Sequence, residues 1–600
     1  MRAIQPDIAD YGLIGDTRTA ALVSADGSID WLCAPRFDSH PIFGALIGGD
    51  ASGRFRVSPL GPATLTARRY RPETATLETT WKVGAASLTL TDGMVAVLGR
   101  QLLPTTLLIR ELVTNAPVEV SVEFTPRLGE SHRLPDVQQR GDRLICQWGP
   151  LALSLQSHPH VPIGTERPTT VTVTPGTPFV LAVGVADREP LVYVHPTAAT
   201  SALRLDERRW QSWAAEIAAE LPHRDAVVRS LITLRLLTYA PSGAPVAAPT
   251  TSLPELVGGA RNWDYRYAWP RDASIGIGAF LGVDKPNDAR RFMAWLLNAS
   301  RLDRPRLPVL FTLDGKRAPN EREFTAWPGY RNSRPVRVGN GATNQHQLDG
   351  YGWVVDAAWL ITRSGERLYS ETWRALRGFT DEVVRRWNEP DAGIWETRGP
   401  PAHHVHSKLM GWLAIDRALR IAKTHRLSAG RRHRWEGARD ALAAEITDRG
   451  FNPMLASYTR TYGSEDLDAA LLVLPLLGIE PPDAPRTRGT IDALRRELGA
   501  GGPLLYRYPP GLDGLDGGEG AFLPCSFWLV QALAKSGQLL EAEQAFDAML
   551  ELASPLGLYA EEMDPDTHQH LGNFPQALTH AALIQAALAL RDARTQPDVQ

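Results

Sequence analysis

The sequence is poor in three things, and each shortage excludes something. Cysteine is nearly missing: 600 residues hold only Cys33, Cys146 and Cys525, far apart and without ligand spacing. They support neither a disulfide framework nor a zinc site, and read as reduced core residues of a cytoplasmic protein. Long apolar runs are also missing. None approaches the roughly 18 residues needed to span a bilayer. An N-terminus carrying Asp7 and Asp10 lacks the apolar stretch of a signal peptide. Nor is there a surplus of positive charge. A formal net charge of −3 argues against nucleic acid or an anionic membrane as the main partner. The sequence carries no signal for oligomeric state.

What is present is 43% apolar residue content, enough for large cores in a chain of two to four domains. Seventeen tryptophans is a generous number, most of them expected in cores. The N-terminal third reads as β. Alternating or β-branched runs fall at 76–83, 86–91, 106–113, 118–124, 144–148, 151–155 and 169–185, with turn signals such as Asp92-Gly93 and Pro175-Gly176. Ser24-Ala25-Asp26-Gly27-Ser28 between two apolar runs predicts a hairpin. Short strands at this spacing predict an antiparallel β-sandwich over residues 1–205, a structural buttress without a carboxylate pair of its own. From 206 the period becomes helical. A linker helix is expected over 207–221, within a linker of 206–222. Residues 223–600 then hold twelve helical segments, from 224–240 to 574–592, with one expected at 464–476. Twelve helices without intervening strands predict an (α/α)6 barrel.

The connections alternate in character. The first, third, fifth and later odd ones are long and rich in aromatic, Arg and carboxylate residues, among them Asn262 to Asp272, Arg337 to Gln345, Trp395-Glu396, Tyr458 to Tyr462, Tyr506 to Pro509 and Glu561. The even ones, such as Ser536-Gly537, are short and plain. In antiparallel helices every second connection lies at the same end, so these residues converge on one mouth. Trp and Tyr faces suit pyranose rings, and Arg and Asp can chelate paired hydroxyls. Glu396 follows Trp395, whose indole gives a low-dielectric wall that should keep a carboxyl protonated. A second acidic connection holds Glu561 and Glu562. Two carboxyls from separate loops can flank a glycosidic bond as acid and base. Each piece taken alone has a structural explanation: Trp269-Pro270-Arg271-Asp272 could be a helix start with an ion pair, and Arg507 a stacked structural Arg.

Taken together, these stretches resemble glycoside hydrolase family 15, the glucoamylase and trehalase family. The resemblance runs through Ile8 to Asp16, Gly27 to Asp38, Asn262 to Asp272, Gly393-Ile394-Trp395-Glu396 and Gly557 to Gln576. It implies a β-sandwich followed by an (α/α)6 barrel, and inverting, exo-acting hydrolysis at a terminal α-glucose. Carried over, Glu396 matches the general acid and Glu561 the general base. Asp264, Tyr265, Trp269, Arg271, Asp272, Trp395 and Arg507 match residues that bind the terminal glucose. Thr397 stands where fungal glucoamylases have a second acidic residue, and Leu578 near where they place an aromatic. The implied partner is a small carbohydrate, trehalose first and malto- or isomalto-oligosaccharides second. Glu562 is the alternative base. A disaccharide phosphorylase or a non-catalytic glycan-binding protein would share parts of this plan, and the two carboxylates argue against both. No cofactor is implied. His403, His404 and His406 could suggest a metal, but they lack a fourth ligand, so no metal is assigned.

Overall fold

The computed structural model describes residues 5–98, 101–428, 432–515 and 517–595. Up to residue 187 the regular structure is almost entirely antiparallel sheet. One sheet of seven strands carries Gly12–Gly15, Ala20–Val23, Ser28–Cys33, Phe55–Pro59, Val118–Phe124 and Thr169–Val173 in that order, with Pro41–Phe43 beside the third. The other, of eight strands, has Gln101–Thr114 and Ala86–Leu98 near its middle. The predicted hairpin is present. Ala20–Val23 pairs antiparallel with Ser28–Cys33, and Gly27 turns between them at φ 77°. The predicted run at 169–185 divides into Thr169–Val173 and Phe179–Asp187. Sequence reading missed the short strands Gly12–Gly15, Pro41–Phe43, Phe55–Pro59, Thr64–Tyr70 and Asp136–Arg140.

Asp92-Gly93 makes no turn: the strand Ala86–Leu98 runs straight through it. Asp92 is fully buried and pairs with Arg110 at 2.7 Å. From there the Arg110 guanidinium crosses to the carbonyls of Phe55 and Gly27 in the other sheet, at 2.6 and 2.8 Å. Gly93 is small for a packing reason. A Cβ there would stand 2.6 Å from Leu203 on the helix that covers this sheet. That helix is Pro196–Ala214, so it starts before the expected 207. Pro196 opens it, and His195 Nδ1 accepts the Thr197 N–H. It lies on the eight-stranded sheet, with Ala199, Ala202 and Leu203 against Val95, Leu107, Ile109, Val180 and Ala182.

The remainder is helical, with short strands in its connections. Pro270–Gly282 packs on Asp349–Arg363, which packs on Val405–Thr424. Contacts continue through the Ala469–Val473 and Leu474–Leu477 turns to Leu523–Lys535, then to Ala577–Thr595, which returns to Pro270–Gly282. Arg224–Leu236, Pro286–Ala299, Ser370–Arg386, Arg432–Gly450, Pro485–Glu497 and Leu539–Glu551 alternate with these in sequence. The two sets differ in burial. Leu523–Lys535 is buried nearly all round, whereas Leu539–Glu551 buries only Ala542, Phe546 and Met549, one stripe of an amphipathic helix. The segment expected at 464–476 is helical only over its second half, as a 3-10 turn running into four α residues. Asp468 starts it by accepting the Ala470 N–H at 2.8 Å. No helix among the described residues is long and apolar enough to cross a membrane.

Candidate active site

Four of the odd-numbered connections line one cavity. The cavity, of about 310 Å³, is lined by Glu255, Trp263 and Tyr265 from the first, Asn340 and Gln345 from the third, Trp395 to Arg398 from the fifth, and Arg507, Tyr508 and Asp513 from the ninth. It adjoins a recess of about 40 Å³ through the shared residues Tyr265, Trp395, Glu396 and Arg507. Trp269, Arg271, Asp272, Gln576 and Leu578 complete the recess. The Tyr458 to Tyr462 connection supports this wall from behind. Arg460 donates to the Leu512 carbonyl at 2.9 Å and lies over the Tyr508 ring.

Glu396 stands on a bent connection. Its φ of 57° is left-handed, a conformation that costs a non-glycine residue about 1–3 kcal/mol. The loop is tied down on several sides. Gln345 Nε2 donates to the carbonyls of Glu396 and Thr397 at 3.2 Å each, Thr397 Oγ1 donates to Ala392 O, and Arg271 donates to Ile394 O at 2.9 Å. The carboxylate takes both of its contacts on Oε1, from Trp269 Nε1 at 2.7 Å and Arg271 at 3.5 Å. Burial is the largest influence on its ionisation and raises the pKa, while Arg271 and the Trp269 N–H pull the other way. The indole in contact is therefore Trp269. Trp395, the sequence neighbour, instead donates its N–H to Asp468 at 2.8 Å and packs edge-on against Phe522.

Glu561 lines neither the cavity nor the recess and is joined to both through Tyr265. Tyr265 donates its phenolic hydrogen to Glu561 Oε1 at 2.5 Å. Glu561 Oε2 has no partner in hydrogen-bonding geometry, and the side chain is buried. Gly572, at φ 71°, makes the room: a Cβ there would lie 2.6 Å from that oxygen. Burial and the nearby Glu255 raise the Glu561 pKa, against Arg507 and the Tyr265 hydroxyl. Glu562 opens the short strand Glu562–Met563 and points elsewhere, accepting the Gly520 N–H at 2.8 Å and pairing with Arg507 at 3.0 Å. Tyr265 and Trp269 pack edge to face at 5.6 Å, so one aromatic pair hands a hydrogen bond to each carboxyl.

Arg507 is enclosed by carboxylates. Glu255, Glu519 and Glu562 bring oxygens within 4.8 Å of one another, a spacing a cation could use. The Arg507 guanidinium already stands 3.2, 2.6 and 3.0 Å from them. Sequence reading missed Glu255 and Glu519, which sit in stretches with no recognisable pattern. Arg271 donates to Asp272 at 2.8 Å at the recess wall. Asp264, grouped with the sugar-binding residues on the sequence, lines neither cavity nor recess. Both its oxygens take Arg266 at 2.8 Å, and Oδ2 also accepts the Gly339 N–H. Arg266 in turn donates to Ser39 O at 3.0 Å and contacts Cys33 in the β region, while Trp31 donates to Pro249 O. The catalytic connection is thereby anchored to the first sheet. His404 immediately precedes the helix Val405–Thr424 without a side-chain capping bond and His406 lies in its first turn, both kept neutral chiefly by burial.

A narrow recess lined by Glu396, aromatics and a bound Arg, with the buried Glu561 carboxyl held by the lining Tyr265, suits cleavage of a glycosidic bond; the protein is a glycoside hydrolase. Residues 222–588 match the model for glycosyl hydrolases family 15, and residues 3–157 match a trehalase-like N-terminal model. The chain belongs to glycosyl hydrolase family 15. It is 36% identical to a trehalase of Mycolicibacterium smegmatis, over 99% of this chain and 92% of that one. A trehalase of Thermoplasma volcanium is 33% identical over 98% and 94%. In structure it is similar to a bacterial glucoamylase complexed with acarbose, with a TM-score of 0.71 over 99% of this chain and 94% of that one, at 12% identity.

Proposed function

We propose that the chain hydrolyses an α-glucoside from its non-reducing end with inversion, and that its substrate is α,α-trehalose. One observation carries the mechanism: Tyr265 and Trp269, packed together, each hold a different carboxyl. Glu396 is the acid. Both of its donors sit on Oε1, which leaves Oε2 to carry the proton to the leaving oxygen, and burial raises its pKa. Glu561 is the base. Its free Oε2 takes a proton from water as that water attacks the anomeric carbon on the opposite face. Its raised pKa makes it a stronger base once ionised, and the Tyr265 hydroxyl favours the ionised form. Glu562 accepts the Gly520 N–H on one oxygen and forms an ion pair with Arg507 through the other. Trp269, Arg271, Asp272, Trp395 and Arg507 bind the terminal glucose, and Asp264 braces their loop.

The closed sequence of helix contacts supports an (α/α)6 barrel beside a β-sandwich. The two family matches support a division into a sandwich at 1–205, a linker at 206–222 and a catalytic barrel at 223–600. Three buried, unpaired cysteines support a cytoplasmic setting. Trehalose is favoured because relatives named trehalase align along nearly the whole chain.

Glucose release from trehalose, maltose, isomaltose and maltotriose tests the substrate. Turnover of maltotriose with trehalose untouched overturns it in favour of the glucoamylase reading. Proton NMR before mutarotation tests the mechanism. Trehalose should give one β- and one α-glucose, since only one of the two anomeric carbons is attacked. Initial α-glucose alone overturns inversion and the role of Glu561.

A further inference from the structure

Buried polar atoms without partners gather behind the Glu396 connection. Where Asp349–Arg363 and Val405–Thr424 begin, both oxygens of Asp349, Nε2 of His404 and both ring nitrogens of His406 lack hydrogen-bond partners. Asp349 is 1% exposed and His406 2%, so bulk solvent does not reach them. Buried polar groups are almost always satisfied, by protein or by ordered water. An internal water is stable where several polar groups surround it.

This space adjoins the catalytic loop. A Cβ on Gly393 would lie 3.0 Å from the His404 ring. Asp391, on the same loop, accepts the Leu348 N–H at 2.8 Å, immediately before Asp349. The charged groups that act on Asp349 are Asp391, Arg271 and Glu396, and those on Glu396 are Arg271 and Asp272. His404 and His406 are neutral. Asp349 thus lies in the field of Arg271, the cation that contacts the Glu396 carboxylate, and no step of the proposed reaction uses it.

We propose that this space is a hydrated chamber and that Asp349 is a positioning residue of the reaction, offsetting the Arg271 charge so that Glu396 retains its proton until substrate takes it. The proposal rests on Glu396 being the acid. The sign follows from Coulomb's law. A carboxylate at 349 disfavours ionised Glu396 both directly and by countering Arg271, so it moves the alkaline limb of activity to higher pH. Burial raises the Asp349 pKa to about 7, so the carboxylate forms as pH approaches that limb.

Asp349→Asn, which keeps the shape and removes the charge, should move the alkaline limb of kcat down by about half a pH unit or more, roughly a threefold loss at a pH on that limb. Asp349→Glu should restore much of the wild-type limb. An Asn variant that loses activity equally at every pH, with its limb unmoved, overturns the role. The chamber is tested on the unaltered protein by a high-resolution crystal structure. Ordered waters joining Asp349 and His406 support it, and a dry space or protein partners for both Asp349 oxygens overturn it. These readouts separate the proposal from the reading beneath it. An active Glu396→Gln variant refutes the acid, whereas an inactive one with an unmoved limb in Asp349→Asn refutes Asp349 alone.

Discussion

On one side of the recess, Glu396 stands on a backbone bent into the left-handed region and receives an indole N–H and a guanidinium. Beyond Tyr265, Glu561 leads into an ordinary two-residue strand and receives a phenol, with Glu255, Glu519 and Glu562 close by. The first carboxyl is held by backbone geometry and opposed by positive charge. The second is held by a simple backbone and crowded by negative charge. The acid therefore bears conformational strain and the base electrostatic strain, and substitutions on the two sides should fail differently.

The largest effect is expected at the base. Glu561→Gln should lower hydrolysis by about 10³-fold or more, while Glu562→Gln, which leaves the free oxygen of Glu561 in place, should be milder. Steady-state rates on variants with matched thermal melts check this. The reverse ranking would move the base to Glu562. Next comes Glu396→Gln, with a loss of at least about a hundredfold on trehalose and a smaller loss on glucosides whose leaving group needs no protonation. Equal losses on both substrates would remove the acid role.

The smallest effects sharpen the contrast most. Tyr265→Phe deletes the hydrogen bond that favours ionised Glu561, so the pKa of Glu561 rises and the acid limb of activity moves to higher pH. Glu255→Gln deletes a neighbouring negative charge, so the same limb moves to lower pH. Shifts of a few tenths of a pH unit to about one unit are expected from single interactions of this kind. Two pH–rate profiles decide it, and shifts in the same direction would break the picture of a base balanced between a phenol and a crowd of carboxylates.

Much of this was legible in the sequence because it rests on local periodicity. The alternation of plain and aromatic-rich connections needs only helix spacing, and it placed Tyr265, Trp269, Arg271, Trp395, Glu396 and Arg507 around one opening. What stayed hidden depends on partners distant in the chain. Asp92-Gly93 has the composition of a turn, but Arg110 and Leu203 make it strand. Trp395 looks like the wall beside Glu396, yet its N–H goes to Asp468 and Trp269 makes the contact. Glu255 and Glu519 carry no pattern at all; only the Arg507 they surround gives them meaning.

The hydrogen bonds from Arg266 to Ser39 and from Trp31 to Pro249 bear on where this protein can be divided. The β region grips the loop on which Tyr265 and Trp269 are mounted. A chain shortened to its helical part would keep every proposed catalytic group and lose the fixture that aligns two of their supports. For anyone engineering a smaller enzyme, or grafting this helical part onto another scaffold, the seam near residue 222 is a poor place to cut.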